Sequence, residues 1–136
     1  EIKITVGTAI VTPDTDRTMD IRGRDLVSGL PKTLTIRAKE IREALNEPIY
    51  KIIDAVKGTL EKTPPELAAD VMDHGIMMTG GGALLMNLDK LLSHETGMPV
   101  LVSEEALSCV GEGTGRTLEN IGLLKSVVMS SKKLKQ

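Results

Sequence analysis

The stretch Gly75-Ile76-Met77-Met78-Thr79-Gly80-Gly81-Gly82-Ala83-Leu84-Leu85 decides how this chain folds. Ile76-Met77-Met78 is a short continuous apolar run, the pattern of a strand buried on both faces. Thr79-Gly80-Gly81-Gly82 follows, and then Leu84, Leu85, Leu88, Leu91 and Leu92 recur at helical spacing until Gly97. The spacing predicts a buried strand, a glycine turn and an amphipathic helix. In open α/β sheets, ligands bind outside the carboxyl ends of the strands, where such a turn lies. Glycines let the backbone approach a ligand closely and adopt positive φ. The N–H groups and positive dipole end of a following helix suit a phosphate or the edge of a ribose-phosphate. No Lys-Ser or Lys-Thr follows, so this is not a P-loop, and the glycine spacing differs from the dinucleotide fingerprint. By pattern alone, a tight turn packed against a neighbour is an equal alternative.

Downstream, Pro99–Val102 is another short apolar strand. Ser103-Glu104-Glu105 is expected to open a last helix, with Leu107, Val110, Leu118 and Ile121 as its apolar stripe. Helix, strand, helix, strand, helix predicts parallel strands with crossover helices. Upstream, Ile2-Lys3-Ile4-Thr5-Val6, Thr18–Arg22 and Thr33–Arg37 alternate with period two, which predicts three short antiparallel strands joined by turns. The period then becomes helical through Ile41, Leu45, Ile49, Ile52, Ile53, Val56 and Leu60. Pro48 interrupts it, so two helices or a kink are expected, with Pro48 in the first turn of the second. Thr63-Pro64-Pro65-Glu66 is expected to start a further helix, capped by Thr63 and stopped by Gly75.

The chain has 136 residues, 40% hydrophobic and 26% charged, enough for one ordinary domain or two small subdomains. Tyr50 is the one aromatic residue, so the core must be aliphatic and stacking on nucleic-acid bases is not supported. A net charge of −2 argues against a general polyanion binder, and no nucleic-acid partner is expected. Lys125, Lys132, Lys133 and Lys135 form a basic tail, read as a solvated end. The single cysteine, Cys109, permits no disulfide within the chain; it is expected to be a small buried hydrophobe in a reducing cytoplasm. No apolar run is long enough to cross a bilayer as a helix. Glu1 opens directly into patterned sequence without an initiator Met or signal peptide, so the chain is expected to be a piece of something larger.

Other candidate sites carry less. His74 and His94 lack metal-site spacing, and no metal is expected. Glu61, Glu66, Asp70 and Asp73 read as a solvated helix face. Gly111, Gly113 and Gly115 fall within a helical pattern, where close packing is expected.

Leu60–Leu67, Asp70–Asp73 and Gly75–Leu85 together are similar to the C-terminal region of the MreB and Mbl rod-shape-determining bacterial actins. Asp20-Ile21-Arg22-Gly23-Arg24-Asp25-Leu26, Ser28–Thr33 and Gly111–Gly115 resemble the same family, so the likeness covers essentially the whole chain. It implies an α/β chain of the actin/Hsp70/hexokinase-like ATPase fold, part of that fold's second domain. Residues 1–37 would be the strand-rich part of a small antiparallel subdomain, 38–61 connecting helices, and 62–136 a larger α/β subdomain with a short, mainly parallel sheet. The nucleotide contacts carried over are Thr79, Gly80, Gly81, Gly82, Ala83, Leu84 and Leu85, with Leu85 one turn into the helix and walling the adenine, and Leu107 and Ser108 close to the base. ATP and Mg2+ would bind the full-length protein, a slow ATPase. The phosphate hairpins, magnesium carboxylates and water-orienting residue belong to the other domain, so no catalytic residue is assigned here. The adenine-side acid is expected at or just before Glu1. These 136 residues by themselves are expected to bind nucleotide feebly or not at all. The implied partners are further copies, stacked head-to-tail into cytoplasmic, membrane-associated filaments, and the cell-wall machinery; in the stacking, the loop around Asp20–Pro31 would take part. The alternatives are a sugar kinase or chaperone ATPase of the same superfold, or a structural domain with an empty glycine turn.

Overall fold

The computed structural model describes residues 1–124; the basic tail from Lys125 lies outside them. The chain opens with helix α1 (Ile2–Val6), then a loop, strand β1 (Thr18–Arg24) and strand β2 (Pro31–Arg37). Helices α2 (Ala38–Ala44), α3 (Asn46–Glu61) and α4 (Pro65–His74) follow. Strand β3 (Ile76–Met78), a 3-10 turn (Gly81–Leu84), helix α5 (Leu88–Thr96) and strand β4 (Val100–Val102) come next, before helices α6 (Cys109–Glu119) and α7 (Ile121–Leu124).

The first correction falls on Ile2–Val6, which is a helix and not a strand. Val6 is fully buried whereas Ile4 is 85% exposed, so the alternating residues do not share one buried face. Ile4 and Thr5 both donate to Glu1 O, closing helical turns that need no partner strand. The expected three strands are therefore one hairpin, β1 antiparallel to β2, in register from Thr18 opposite Arg37 to Arg24 opposite Pro31.

The hairpin turn is tightly wired. Asp25 N donates to Leu30 O at 2.9 Å and Gly29 N to Asp25 O at 2.8 Å. The Asp25 carboxylate accepts from Val27 N and Ser28 N, both at 2.9 Å, and from Lys32 Nζ at 3.1 Å. Arg24 Nε donates to Gly29 O, and Gly29 takes φ +71°, where a side chain would be strained. These donors, the Ser28 amide first and then Lys32, hold the Asp25 carboxyl below its ordinary 3.8. A depressed carboxylate contributes stability that is present above the unfolded value and lost as pH falls through the folded one. The Val27 and Ser28 amides should therefore stay protected in hydrogen exchange at pH 5 and loosen below about pH 3.8, the carboxylate reference value. Protection unchanged by acid would show that the turn does not depend on this carboxylate.

Pro48 is the third residue of α3, in its first turn, and the helices part at Leu45 as the spacing predicts. Thr63 does not cap α4. Its Oγ1 donates back to Thr59 O at 2.8 Å, and Pro64 occupies the cap position. Gly75 ends α4 at φ +81°. Strands β3 and β4 pair in parallel, Ile76 with Val100 and Met78 with Val102. Only one face of this pair is covered. Met77 and Leu101, paired across the strands, are 59% and 51% exposed, so β3 is not buried on both faces.

The core lies between α3 and α5. Ile49 and Ile53 from α3 meet Leu88, Leu91 and Leu92 from α5, with Ala9 among them and Met78, Leu85 and Val100 packed around. Burying each large aliphatic side chain contributes about 1.5–3 kcal/mol. Lys57 Nζ to Glu95 Oε2, at 2.6 Å, also ties α3 to α5, but solvent screens a pair this exposed and leaves it a minor contribution. The aliphatic cluster therefore holds the two helices together.

The last helix differs from expectation. It starts at Cys109 rather than Ser103. Ser103 N donates to Met78 O at 3.0 Å and Gly80 N to Ala106 O at 2.6 Å, so residues 103–106 are bound to the end of β3 instead of entering a helix. Leu107, Val110, Leu118 and Ile121 are exposed, so none of the described residues covers the stripe. Among the described residues, nothing lies within 4 Å of where a Cβ on Gly111, Gly113 or Gly115 would stand, so these glycines are not close-packed there. Cys109 is half-buried, its Sγ 3.6 Å from Ala106 O.

Candidate functional site: the glycine turn

Thr79 leaves β3 exposed, and Gly80 turns the chain at φ +81°, ψ 171°. The next residues wind into a 3-10 turn, with Ala83 N donating to Gly80 O at 3.1 Å and Leu85 N to Gly82 O at 3.2 Å. Ala83 is buried beneath the turn, while Gly81, Gly82 and Leu84 face solvent. The loop before α6 stands alongside, and a Cβ on Gly81 would meet Leu107 Cδ2 at 3.6 Å. The structure thus brings Leu107 beside the glycines.

Two expectations change here. The helix does not begin at the turn. Asn87, left-handed at φ 60°, intervenes before α5 opens at Leu88. The donors nearest a ligand at the turn are therefore the opening amides of the 3-10 turn, which have no partner within it. Leu85 is not one turn into a helix. It is extended, half-buried and packed against the core. The exposed apolar side chain of the turn is Leu84. Glu1 stands exposed at the start of α1.

Sequence reasoning missed the support behind the turn. Thr8 is fully buried, and its Oγ1 lies 2.6 Å from Ile10 O and 3.1 Å from Met86 O. Asn87 Nδ2 donates to Thr8 Oγ1 and to Ile10 O, and Ala9 N donates to Met86 O at 2.8 Å. A segment near the start of the chain is thereby sewn to the residues leaving the glycine turn. The one available signal was Asn87, a residue that tolerates a left-handed backbone, inside an otherwise leucine-rich helical pattern. Arg42 adds a clasp, its Nε donating to Ala9 O and its NH1 to Asn46 Oδ1. Thr8→Val should remove about 0.5–1.5 kcal/mol of unfolding free energy, because it deletes the hydroxyl's hydrogen bonds while keeping the volume, and its partners retain other bonds. A chemical-denaturation midpoint equal to that of the parent would show the hydroxyl to be dispensable.

Among the described residues, no three His, Cys, Asp or Glu side chains converge as a metal site, and no helix is long and apolar enough to cross a membrane. Grooves away from the turn include one bordered by Ile10, Arg42 and Leu91 and one between α3 and α4.

A basic hairpin, a parallel strand pair and a glycine turn at the end of β3 are the parts of an actin-like ATPase fold. Residues 1–126 match the model of the MreB/Mbl protein family, and the chain belongs to that family. It is 52% identical over 125 residues to the cell shape-determining protein Mbl of Bacillus subtilis (strain 168), covering 91% of this chain and 37% of that one. It is 48% identical over 122 residues to the cell shape-determining protein MreB of Escherichia coli (strain K12), covering 90% and 35%. Its fold is similar to those of Spiroplasma citri MreB5 bound to ADP (TM-score 0.81, 42% identity, 88% of this chain and 36% of that one) and bound to AMPPNP (TM-score 0.80, 40% identity, 93% and 38%). The chain spans little more than a third of the length of these relatives. Identity of this order to cell-shape proteins sets aside the sugar-kinase and chaperone readings.

Proposed function

We propose that Thr79, Gly80, Gly81, Gly82, Ala83, Leu84 and Leu85 form one wall of a nucleotide cleft, completed by a part of the family polypeptide that these residues do not include. The observation that carries this is what the fold asks of each glycine. Gly80 needs its positive φ, whereas Gly81 and Gly82 do not have one. A Cβ would meet nothing within 4 Å on Gly82 and only ordinary contact on Gly81. Packing gives no reason for glycine at either position, so the turn is not explained as a packing turn. What a Cβ there would obstruct is approach from outside to the exposed backbone. The ADP- and AMPPNP-bound MreB5 structures support a nucleotide as the visitor. Leu84, rather than the half-buried Leu85, offers the apolar wall.

In this reading the chain is the C-terminal part of an intact protein that binds ATP with Mg2+ and hydrolyses it slowly. Residues 1–37 and 62–136 form its smaller and larger subdomains, joined by 38–61. The intact protein stacks head-to-tail into cytoplasmic filaments that meet the membrane-associated cell-wall machinery. The C-terminal placement rests on the resemblance of Leu60–Leu85, and the gene sequence upstream of Glu1 tests it: finding the phosphate hairpins downstream instead would overturn it.

Nuclear magnetic resonance titration of the labelled chain with ADP or ATP tests the site. Shifts should be confined to the amides of Thr79–Leu85 and the Leu107–Ser108 loop, with a Kd weaker than about 1 mM, an affinity below about 4 kcal/mol. Gly81→Asp should abolish them by placing a carboxylate beside the phosphates. Shifts located elsewhere would refute the site, and tight magnesium-dependent binding would refute the half-cleft.

A further inference from the structure

Helix α4 has an apolar face without burial to match it. Leu67 and Val71 lie one turn apart on it, yet none of its residues is buried and Leu67 is 55% exposed. Between α3 and α4 runs an apolar groove, lined by Ile52, Val56, Leu60, Val71 and Ile76. The helices that bound it are acidic. From Asp54 to Asp73 there are two basic and five acidic residues, and Lys57 is already paired with Glu95. Asp54, Glu61, Glu66, Asp70 and Asp73 are all exposed, so carboxylates accompany the groove along both helices. The chain also supplies a segment of opposite character. After Glu119 there is no acid, and Lys125, Lys132, Lys133 and Lys135 flank the apolar run Val127-Val128-Met129. A solvated end accounts for the lysines and leaves the apolar run without a place. Residues 125–136, fully extended, span about 40 Å, roughly the width of a domain of this length, so the groove lies within their reach from Leu124.

We propose that residues 125–136 seat on their own chain, with Val127, Val128 and Met129 in the α3–α4 groove and the lysines against the carboxylates of α3 and α4. A tethered segment meets its site at an effective concentration of about 1 mM, so a contact too weak to hold two molecules together suffices within one. The groove by Ile10 offers a basic segment no such attraction, because Lys39 and Arg42 border it beside Glu43 and Glu95. Opposite charge selects the groove and makes the seating sensitive to salt, while the apolar run supplies the burial. The seated tail covers the apolar face of α4 and competes with any outside segment for it.

Paramagnetic broadening in the full 136-residue chain tests the seating. A nitroxide on Ser131→Cys, combined with Cys109→Ser so that one thiol remains, should broaden the amides of residues 52–60 and 66–73. Dilution should leave that broadening unchanged. Ile52→Glu should abolish it. Lys132→Glu with Lys133→Glu in the tail, or Glu66→Lys with Asp70→Lys on α4, should each reduce it several-fold at low salt. All four together should restore it, because the charges are then opposite again. Circular dichroism checks that each variant keeps the fold. Should the label disturb it, the unlabelled parent gives the same answer: raising the salt should shift the amides of α4 and of residues 127–129 together. Broadening elsewhere, or none, would overturn the seating. Broadening that fades on dilution would overturn it in favour of a contact between copies. A label that leaves α3 and α4 unbroadened while the chain co-sediments with phosphatidylserine vesicles would overturn it in favour of a membrane surface.

Discussion

Ile53→Ala should lower the unfolding free energy by about 2–5 kcal/mol, the range for deleting a buried aliphatic side chain where the cavity cannot collapse. Ile53 is 1% exposed and sits where α3 meets Leu88, Leu91 and Leu92 of α5. Both helices are held by this cluster, so neither can move in to fill the space without losing its other contacts. Domains of this size have about 5–15 kcal/mol in total, so this one change removes a large share. The urea midpoint should fall sharply with an unchanged slope, the sign of lost stability rather than altered compactness. A loss below about 1 kcal/mol would mean that the α3–α5 cluster is not the centre of the fold.

Gly75→Ala should be nearly as damaging, for a different reason. Gly75 has φ +81°, and a Cβ there would stand 2.7 Å from Pro99 O. That oxygen is backbone and accepts from Ile76 N at 2.8 Å, the bond that starts the β3–β4 pairing. A non-glycine residue in this region costs about 1–3 kcal/mol, and losing the bond adds about 1 kcal/mol. Gly82→Ala is the control, since a Cβ there meets open space and should change stability by no more than about 0.5 kcal/mol. Calorimetry of the two variants together separates glycines required by the fold from those left for a ligand. Equal losses would contradict that division.

The parts of the fold that were legible in the sequence are those fixed by local chemistry. Pro48 in a first turn, Gly75 and Gly97 as helix stops, and the apolar β3 and β4 all stand where the pattern places them. The misreadings have long-range causes. Ile2–Val6 alternates like a strand, but among the described residues no partner strand reaches it, and a helix satisfies its own backbone. Ser103-Glu104-Glu105 looks like a helix start, yet bonds to Met78 and Gly80, more than twenty positions away, hold that segment against the sheet. The glycine turn was legible as a place, because glycines between a strand and a helical pattern are local. Its architecture was not: the Asn87 kink, the inward turn of Leu85 and the buried Thr8 behind it depend on residues some 78 positions apart.

That separation bears on how the chain is made. Thr8 leaves the ribosome some 78 residues before Met86, the residue whose carbonyl it meets. At about 5–20 residues per second, several seconds pass in which residues 8–10 have no partner. The hydrogen bonds of the hairpin turn, from Asp25 to Leu30, can form in that interval from neighbours already made. The back of the glycine turn cannot. The turn therefore acquires its shape only when Met86 and Asn87 return to residues 8–10, and a nascent chain stalled before Met86 would carry its candidate ligand site still unbuilt.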